Sequence, residues 1–324
     1  MAKKKLISII TPVFNEEKLI NNYYSRVSKI INKLSDDYNF EIIINDNCST
    51  DATYSQVEKL ARKDNRIKLF KFSKNFGYQK SIWFGYHNAS GDAAIELDVD
   101  LQDPPEMIEQ MIGLWSKGYM IVYGIRKKRK EGLFINILRK VFYRLIRITS
   151  ESDIPNDAGD FIFIDKRIID ELKKLNPFDP YVRGIIFSLG YSRVGIEYIR
   201  DARKEGQSKF GYLSLINFAT NAFVSSSTLP LRLASYIGLF AIFLSIFFGI
   251  FFIIDKIFFN TNIERGLTSI LVLVLISIAL NSLFIGILGE YIAKIYRQLS
   301  SVNSLPIVEK SLTTKTLKKK LRKV

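Results

Sequence analysis

The sequence predicts an α/β protein with a mostly parallel sheet, followed by a helical membrane hairpin. Short apolar runs recur up to about residue 211, and between them apolar residues recur at helical spacing. Strands that alternate with helices pair in parallel and leave their ligands at the carboxyl ends of the strands. Two uncharged apolar stretches, 233–254 and 266–289, dominate the last third. Each meets the roughly 20 residues needed to cross a hydrocarbon core.

Five runs read as buried strands: Leu6–Thr11, Glu41–Asn45, Ile67–Phe70, Ala93–Leu97 and Met120–Gly124. Between the first two, Leu19, Ile20, Tyr23, Val27, Ile30, Ile31 and Leu34 mark a helix, and Tyr54–Arg62 and Met107–Lys117 read as helices too. Residues 133–148 place Phe134, Ile137, Leu138, Val141, Phe142 and Leu145 on one helical face, with Arg139, Lys140, Arg144 and Arg147 largely off it. That is the pattern of a helix lying in a membrane interface, with packing on the sheet as the competing reading. Residues 212–231 are uncharged and rich in Ser and Thr, and read as a juxtamembrane helix. The two spans, within 232–292, are joined by the short link 255–265, and their Gly and Ser suit packing between helices in lipid. Arg232 precedes the first span, and Lys294, Arg297 and the basic tail 293–324 follow the second. The positive-inside rule puts both chain ends, and the domain at 1–211, in the cytoplasm.

The 324 residues carry 47 Lys and Arg against 32 Asp and Glu, a net charge of +15. Residues 126–147 hold nine basic residues against Glu131, and residues 310–324 hold seven against none, which together account for the whole excess. Charge this local excludes a uniformly basic nucleic-acid binder and suits phosphates or anionic lipid head groups. Apolar residues at 48% exclude a disordered chain. The single Cys48 excludes a disulfide framework, and the single His87 excludes a His-rich metal site. The start, MAKKKLISIITPVFNEE, meets Pro12, Asn15 and Glu16 too soon for a signal peptide. Cys48 and His87 both read as structural.

The fourth strand runs into ELDVDLQDPPE, so Asp98, Asp100, Gln102 and Asp103 cluster at a strand end. Carboxylates two residues apart can direct oxygens at one hard cation, Mg²⁺ or Mn²⁺, whose shell waters and substrate phosphates complete. Asp103, just before Pro104 and Pro105, reads as a helix cap. The second strand runs into NDNCSTDAT, where Asp46 can hold a base or ribose and Ser49, Thr50 and Asp51 can cap the next helix. Thr11, Pro12, Asn15 and Glu16 follow the first strand and face the same crevice.

In order, TPVFNEE, DNCSTDAT, KNFGYQKS, SGDAAIELDVDLQDPPE, VYGIRKKR, DAGDFIFIDKR and RDARKEGQSKF resemble the motifs of inverting family 2 glycosyltransferases, in the polyprenyl-phosphate branch. The resemblance runs from about residue 6 to 213. It implies a GT-A, Rossmann-like nucleotide-sugar domain, a divalent metal, a homotetramer, a polyprenyl-phosphate acceptor and a bacterial cytoplasmic membrane. It implies that Pro12, Asn15, Glu16, Asp46, Asp98 and Arg126 bind the nucleotide sugar, and that Asp98, Asp100 and Gln102 hold the metal. Asp157 and Asp160, in the acceptor-side motif, join Asp100 in the catalytic set. Arg200, Arg203, Ser208 and Lys209 match phosphate-binding positions. Asn47 and Cys48 stand where the family usually has Asp and Gly, and Glu131 lies in KEG where the family has R-x-G-E. NFGYQ resembles the NFGHQ of glucosyl-transferring relatives, so UDP-glucose is the expected donor, with GlcNAc, galactose or mannose as alternatives. A processive synthase would bring a QxxRW motif and more spans, and a nucleotidyltransferase a Gly-rich loop near the first strand. A catalytically dead membrane adaptor is the reading from another class.

Overall fold

In the computed structural model the described residues are 4–126, 155, 158–199, 267–300 and 305–313, with scattered positions between 234 and 258. The chain divides into two compact units, one of Met1–Asn136, Ser152–Gln207 and Ser301–Val324, the other of Ile137–Glu151 and Ser208–Ser300.

The first unit is an eight-stranded sheet. In chain order its elements are β1 (Lys5–Val13), α1 (Ile20–Lys33), β2 (Tyr38–Asp46), α2 (Thr53–Lys63), β3 (Ile67–Phe72), α3 (Tyr78–Asn88), β4 (Ala93–Glu96), α4 (Met107–Ser116), β5 (Ile121–Arg126), β6 (Ala158–Asp165), α5 (Lys166–Lys174), α6 (Val182–Ser188), β7 (Arg193–Tyr198) and, after the second unit, β8 (Val308–Leu312). The strand order is β7-β5-β6-β4-β1-β2-β3-β8.

The expected parallel core is present: β1 pairs with β2 and β4, and β2 with β3, in parallel, with Ile9 opposite Ile42 and Ile95. The sheet is nevertheless mixed. β6 lies antiparallel between β4 and β5, and β8 runs antiparallel along β3. All five expected strands form, and β6, β7 and β8 are additions. Part of the segment read as a basic tail is therefore an edge strand.

Both faces of the sheet are covered. Ile7 and Ile9 of β1 join one core with α1, α2 and α4, whereas Ile10 joins the other with α3, α5 and α6. The alternation follows from the two-residue period of a strand. Helix α3 comes unusually close to the sheet. A Cβ on Gly85 would lie 2.2 Å from Ile10 Cγ2 and 3.0 Å from Asn45 Nδ2.

In the second unit, residues 267–300 form one helix, α7. Its window Ile276–Ala293 is long and apolar enough to cross a membrane. Among its described side chains Leu273, Ile276, Ile285 and Leu288 are exposed. The helix runs past the expected span of 266–289, because Tyr291, Ile292, Ala293 and Ile295 prolong the apolar pattern. The described residues within 233–254 are helical as well. Residues 133–148 and 212–231 lie outside the described residues.

Candidate active site

Three parallel strands, β1, β2 and β4, open their carboxyl ends on one side, and the loops there are stitched together. Pro12 is buried near the end of β1. The chain then turns at Asn15, in the left-handed region at φ 54°. Asn15 N donates to Ser49 Oγ at 3.0 Å, and its Oδ1 accepts from Thr50 N at 2.8 Å. Glu16 N donates to Thr53 Oγ1 at 2.8 Å. Asp51 Oδ1 accepts from Thr53 N at 2.9 Å, but the N-cap position of α2 is Ala52, so none of Ser49, Thr50 and Asp51 occupies it.

Asp46 is the last residue of β2 and is fully buried. Its Oδ1 accepts from Ser49 N at 3.0 Å, while its Oδ2 is buried without a partner among the described residues. Burial raises its carboxyl above the ordinary range, against the pull of Ser49 and Lys71. A buried acceptor left unpaired is costly unless a ligand meets it. Asn47, in the family's usual Asp position, ties this loop to the next: its Nδ2 donates to Asn75 Oδ1 at 2.8 Å and its Oδ1 accepts from Phe76 N at 2.8 Å. Cys48 is half-buried in the left-handed region, φ 64°, which is the conformation that makes glycine usual there.

Around the end of β4 the acids gather. Glu96 is 4% exposed, and burial, then Asp160 and Asp98, pushes its carboxyl well above the usual range. Asp98 and Asp100 are half-buried. Burial, then the charge of Asp100, holds the Asp98 carboxyl at about 7. The Tyr78 hydroxyl stands between two of these acids, 2.5 Å from Glu96 Oε1 and 2.9 Å from Asp98 Oδ1. Gln102 N donates to Asp100 Oδ1 at 3.1 Å. Between them Leu101 is buried at φ 52°, a strained conformation for a leucine. Strain of this kind collects where the surrounding structure fixes a functional turn.

Asp103 is not a helix cap. The helix begins after Glu106 without a side-chain cap, and Asp103 is instead 3% exposed. It accepts from the Tyr198 hydroxyl and pairs with Arg126 Nη2 at 3.6 Å. Arg126 Nε also donates to Tyr198 Oη at 3.2 Å. The Arg126 guanidinium lies over Gly159 of β6, where a Cβ would come within 2.8 Å of Nη2. One residue on, Asp160 pairs with Arg183 Nε at 3.8 Å, and Arg183 Nη1 donates to Ala158 O at 2.6 Å. Asp160 also acts electrostatically on Glu96, Asp98, Tyr78 and Arg126. Asp98, Asp100, Gln102, Asp160 and Arg126 thus form one cluster, beside the loops that hold Pro12, Asn15, Glu16 and Asp46. Asp157, Arg200, Arg203, Ser208 and Lys209 lie outside the described residues.

The sequence reading missed Glu96, Tyr78 and Arg183. An acid inside an otherwise apolar strand was the available signal for Glu96. For Arg183 the signal was a cation in the first turn of a helix, where the macrodipole disfavours it.

Among the described residues no three His, Cys, Asp or Glu side chains converge tightly enough to hold an ion unaided. The donor chemistry still fits a hard divalent cation that draws the rest of its shell from water and phosphate. Glu96, Asp98, Asp100, Asp103 and Asp160 bring five carboxyls together beside Arg126 and Arg183, and at Asp98 burial first, then the charge of Asp100, raises the carboxyl.

A GT-A-like mixed α/β sheet with an acidic pair at the end of a central strand is the architecture of a glycosyltransferase. The chain belongs to glycosyl transferase family 2, whose profile matches residues 8–173. It is 35% identical over 312 residues to the uncharacterized glycosyltransferase YkcC of Bacillus subtilis, covering 96% of this chain and 95% of that one. It is 36% identical over 291 residues to the bactoprenol glucosyl transferase of Shigella phage SfV, covering 90% and 94%. A solved mannosyltransferase from Pyrobaculum calidifontis, in complex with GDP-Man and Mn²⁺, is similar at a TM-score of 0.47 and 17% identity, over 66% of this chain and 60% of that one.

Proposed function

We propose that the protein transfers a hexose, glucose first among candidates, from a nucleotide diphosphate sugar to a polyprenyl phosphate at the cytoplasmic face of a bacterial membrane, with inversion. The observation that carries this reading is the acidic cluster at the β4 end, Asp98 and Asp100 with Asp160 and Arg126 around them, in a chain similar along nine-tenths of its length to bactoprenol glucosyl transferases. Asp46 Oδ2 supplies the buried acceptor for the base. Asp98 and Asp100, with Gln102, would hold Mg²⁺ or Mn²⁺, which when bound neutralises the charge that develops on the leaving diphosphate.

A phosphate monoester has its second pKa near 6, so at neutral pH the acceptor is largely a dianion and a strong general base is unnecessary. A phosphate oxygen attacks the anomeric carbon, and the bond from that carbon to the nucleotide β-phosphate oxygen breaks. The electron pair leaves with the nucleotide diphosphate, so an α-linked donor yields a β-linked lipid phosphate sugar. Arg126, locked by Asp103 and Tyr198, orients donor phosphate, and Asp160 with Arg183 borders the acceptor side. The segment 200–209 supplies further phosphate ligands through Arg200, Arg203, Ser208 and Lys209.

A membrane hairpin within 232–292 would give access to such an acceptor, and the apolar window Ile276–Ala293 supports one of its two spans. β8 belongs to the same sheet as β1–β7, so the chain leaves and re-enters that unit on one side of any bilayer. If α7 crosses once, the preceding apolar stretch crosses too.

The test is to incubate the membrane-reconstituted protein with polyprenyl phosphate and a panel of UDP- and GDP-sugars. A lipid-linked hexose is the expected product. No product with any donor, together with no Mn²⁺-dependent nucleotide binding, would instead mark a membrane adaptor.

A further inference from the structure

We propose that Tyr78 is a positioning residue that fixes the orientation of Asp98 for the divalent ion, and that the Asn47–Asn75 clamp delivers it there. The inference rests on the reading of Asp98 and Asp100 as ion ligands.

Tyr78 is the first residue of α3. The residue is 39% exposed, yet its hydroxyl lies 2.5 Å from Glu96 Oε1 and 2.9 Å from Asp98 Oδ1. A phenol carries one hydrogen and two lone pairs, so it can donate to the Asp98 oxygen and accept from a Glu96 carboxyl that carries its own proton. By holding Oδ1, the hydroxyl restricts the rotation of the Asp98 carboxyl. A ligating carboxylate with an undefined plane would have to be ordered each time an ion binds. Outer-shell partners that remove this freedom are worth roughly 10–100-fold in metal affinity.

The hydroxyl arrives there because the preceding loop is fixed. Gly77 sits at φ 90°, a conformation that a side chain would strain. Gly77 N donates to Asn75 Oδ1 at 2.9 Å, and the same oxygen accepts from Asn47 Nδ2 at 2.8 Å. Phe76 N donates to Asn47 Oδ1 at 2.8 Å. Asn47 directly follows Asp46, so one amide side chain couples the loop at the base-binding carboxylate to the residue that orients the ion-binding one. An aspartate at position 47 could accept from Phe76 N but could not donate to Asn75. The rest of α3 is anchored by Gly85 packing on Ile10 and by Gln79, whose Oε1 accepts from Val182 N at 3.0 Å. The ring therefore cannot follow if the hydroxyl is removed, and Asp98 loses its partner without a compensating shift.

The experiment is a Mn²⁺ titration followed by electron paramagnetic resonance, with the full-length protein in detergent and UDP present at saturation. Wild type, Tyr78→Phe and Asn75→Ala are compared, with thermal unfolding of each. Tyr78→Phe should weaken Mn²⁺ binding about tenfold or more while unfolding at the wild-type temperature. Asn75→Ala keeps the hydroxyl but releases the loop, and should lose a smaller part of the same affinity. Mn²⁺ affinity of Tyr78→Phe within twofold of wild type would overturn the role of Tyr78 and leave the functional reading intact. Unchanged affinity in Asn75→Ala alone would overturn the clamp. If the wild type bound no Mn²⁺, the assignment of Asp98 would fall, and this inference with it.

Discussion

Gly159→Ala should damage catalysis while sparing the fold. Gly159 lies in β6 against the end of the Arg126 side chain, and a Cβ there would stand 2.8 Å from Nη2 and 3.0 Å from Cζ and Nε. Comfortable contacts begin near 3.5 Å, so the guanidinium must retreat by about 0.5–0.7 Å. Because it ends a flexible side chain, the retreat costs only about 0.5–1.5 kcal/mol, the price of off-rotamer torsions. The contacts that aim Arg126 have no slack for it: the Tyr198 bond is already 3.2 Å and the Asp103 pair 3.6 Å. Losing a charge-assisted hydrogen bond is worth roughly 1.5–3 kcal/mol, or about ten- to a hundred-fold. That fall should appear in kcat/KM for the nucleotide sugar, measured by initial rates at saturating polyprenyl phosphate, with thermal unfolding alongside. A kcat/KM within twofold of wild type would refute the reading that Arg126 must be held where it is.

The ion-free Asp98 carboxyl sits near 7, so below that pH an incoming ion must displace its proton. Mn²⁺ affinity should rise between pH 5.5 and 7 and level above it, and a flat profile across pH 5.5–8 would contradict this. Because the folded value lies above the ordinary 3.8, the ion-free protein should lose stability from this group as pH climbs from about 4 to 7, and Mn²⁺ should restore it. Gly85→Ala should destabilise by about 1–3 kcal/mol through overpacking against Ile10, whereas Gly113→Ala, on the exposed side of α4 with nothing near its Cβ, should stabilise by about 0.5–1 kcal/mol. Equal unfolding temperatures for the two variants would refute the packing argument. Truncation after Ser300 removes β8, bares the edge of β3 and uncovers the site of the buried Leu312, so the shortened protein should unfold at a lower temperature and aggregate on heating.

The parallel core was legible because burial on both faces leaves near-continuous apolar runs, such as ISIIT and EIII, that only a covered strand explains. β6 escaped notice because its first half carries the DAGDF motif and was read as chemistry alone. β7, RVGIEY, alternates polar and apolar residues at an edge, and β8 sits among lysines that resemble a solvated tail. Helix α3 buries Ser81, Ile82, Trp83, Phe84, Gly85 and Tyr86 in succession, so it lacks the one-sided stripe by which helices are recognised. At the site, the acids were readable from their spacing at a strand end. Their partners were not. Tyr78 reaches Asp98 across twenty positions and Tyr198 reaches Asp103 across ninety-five, distances that no local pattern records.

The placement of β8 has a consequence for biogenesis. Phe72 pairs with Val308, so the β3 edge waits through synthesis of nearly all the intervening chain, including α7, before its partner emerges. Closing a loop that long has a slowly growing entropic penalty, but it cannot begin until β8 leaves the ribosome. During that interval the bare edge is a template for wrong pairing. Completion of the sheet therefore waits on a strand 236 positions further along the chain than the Phe72 it pairs with, and the β3 edge stays open until Val308–Leu312 has been made.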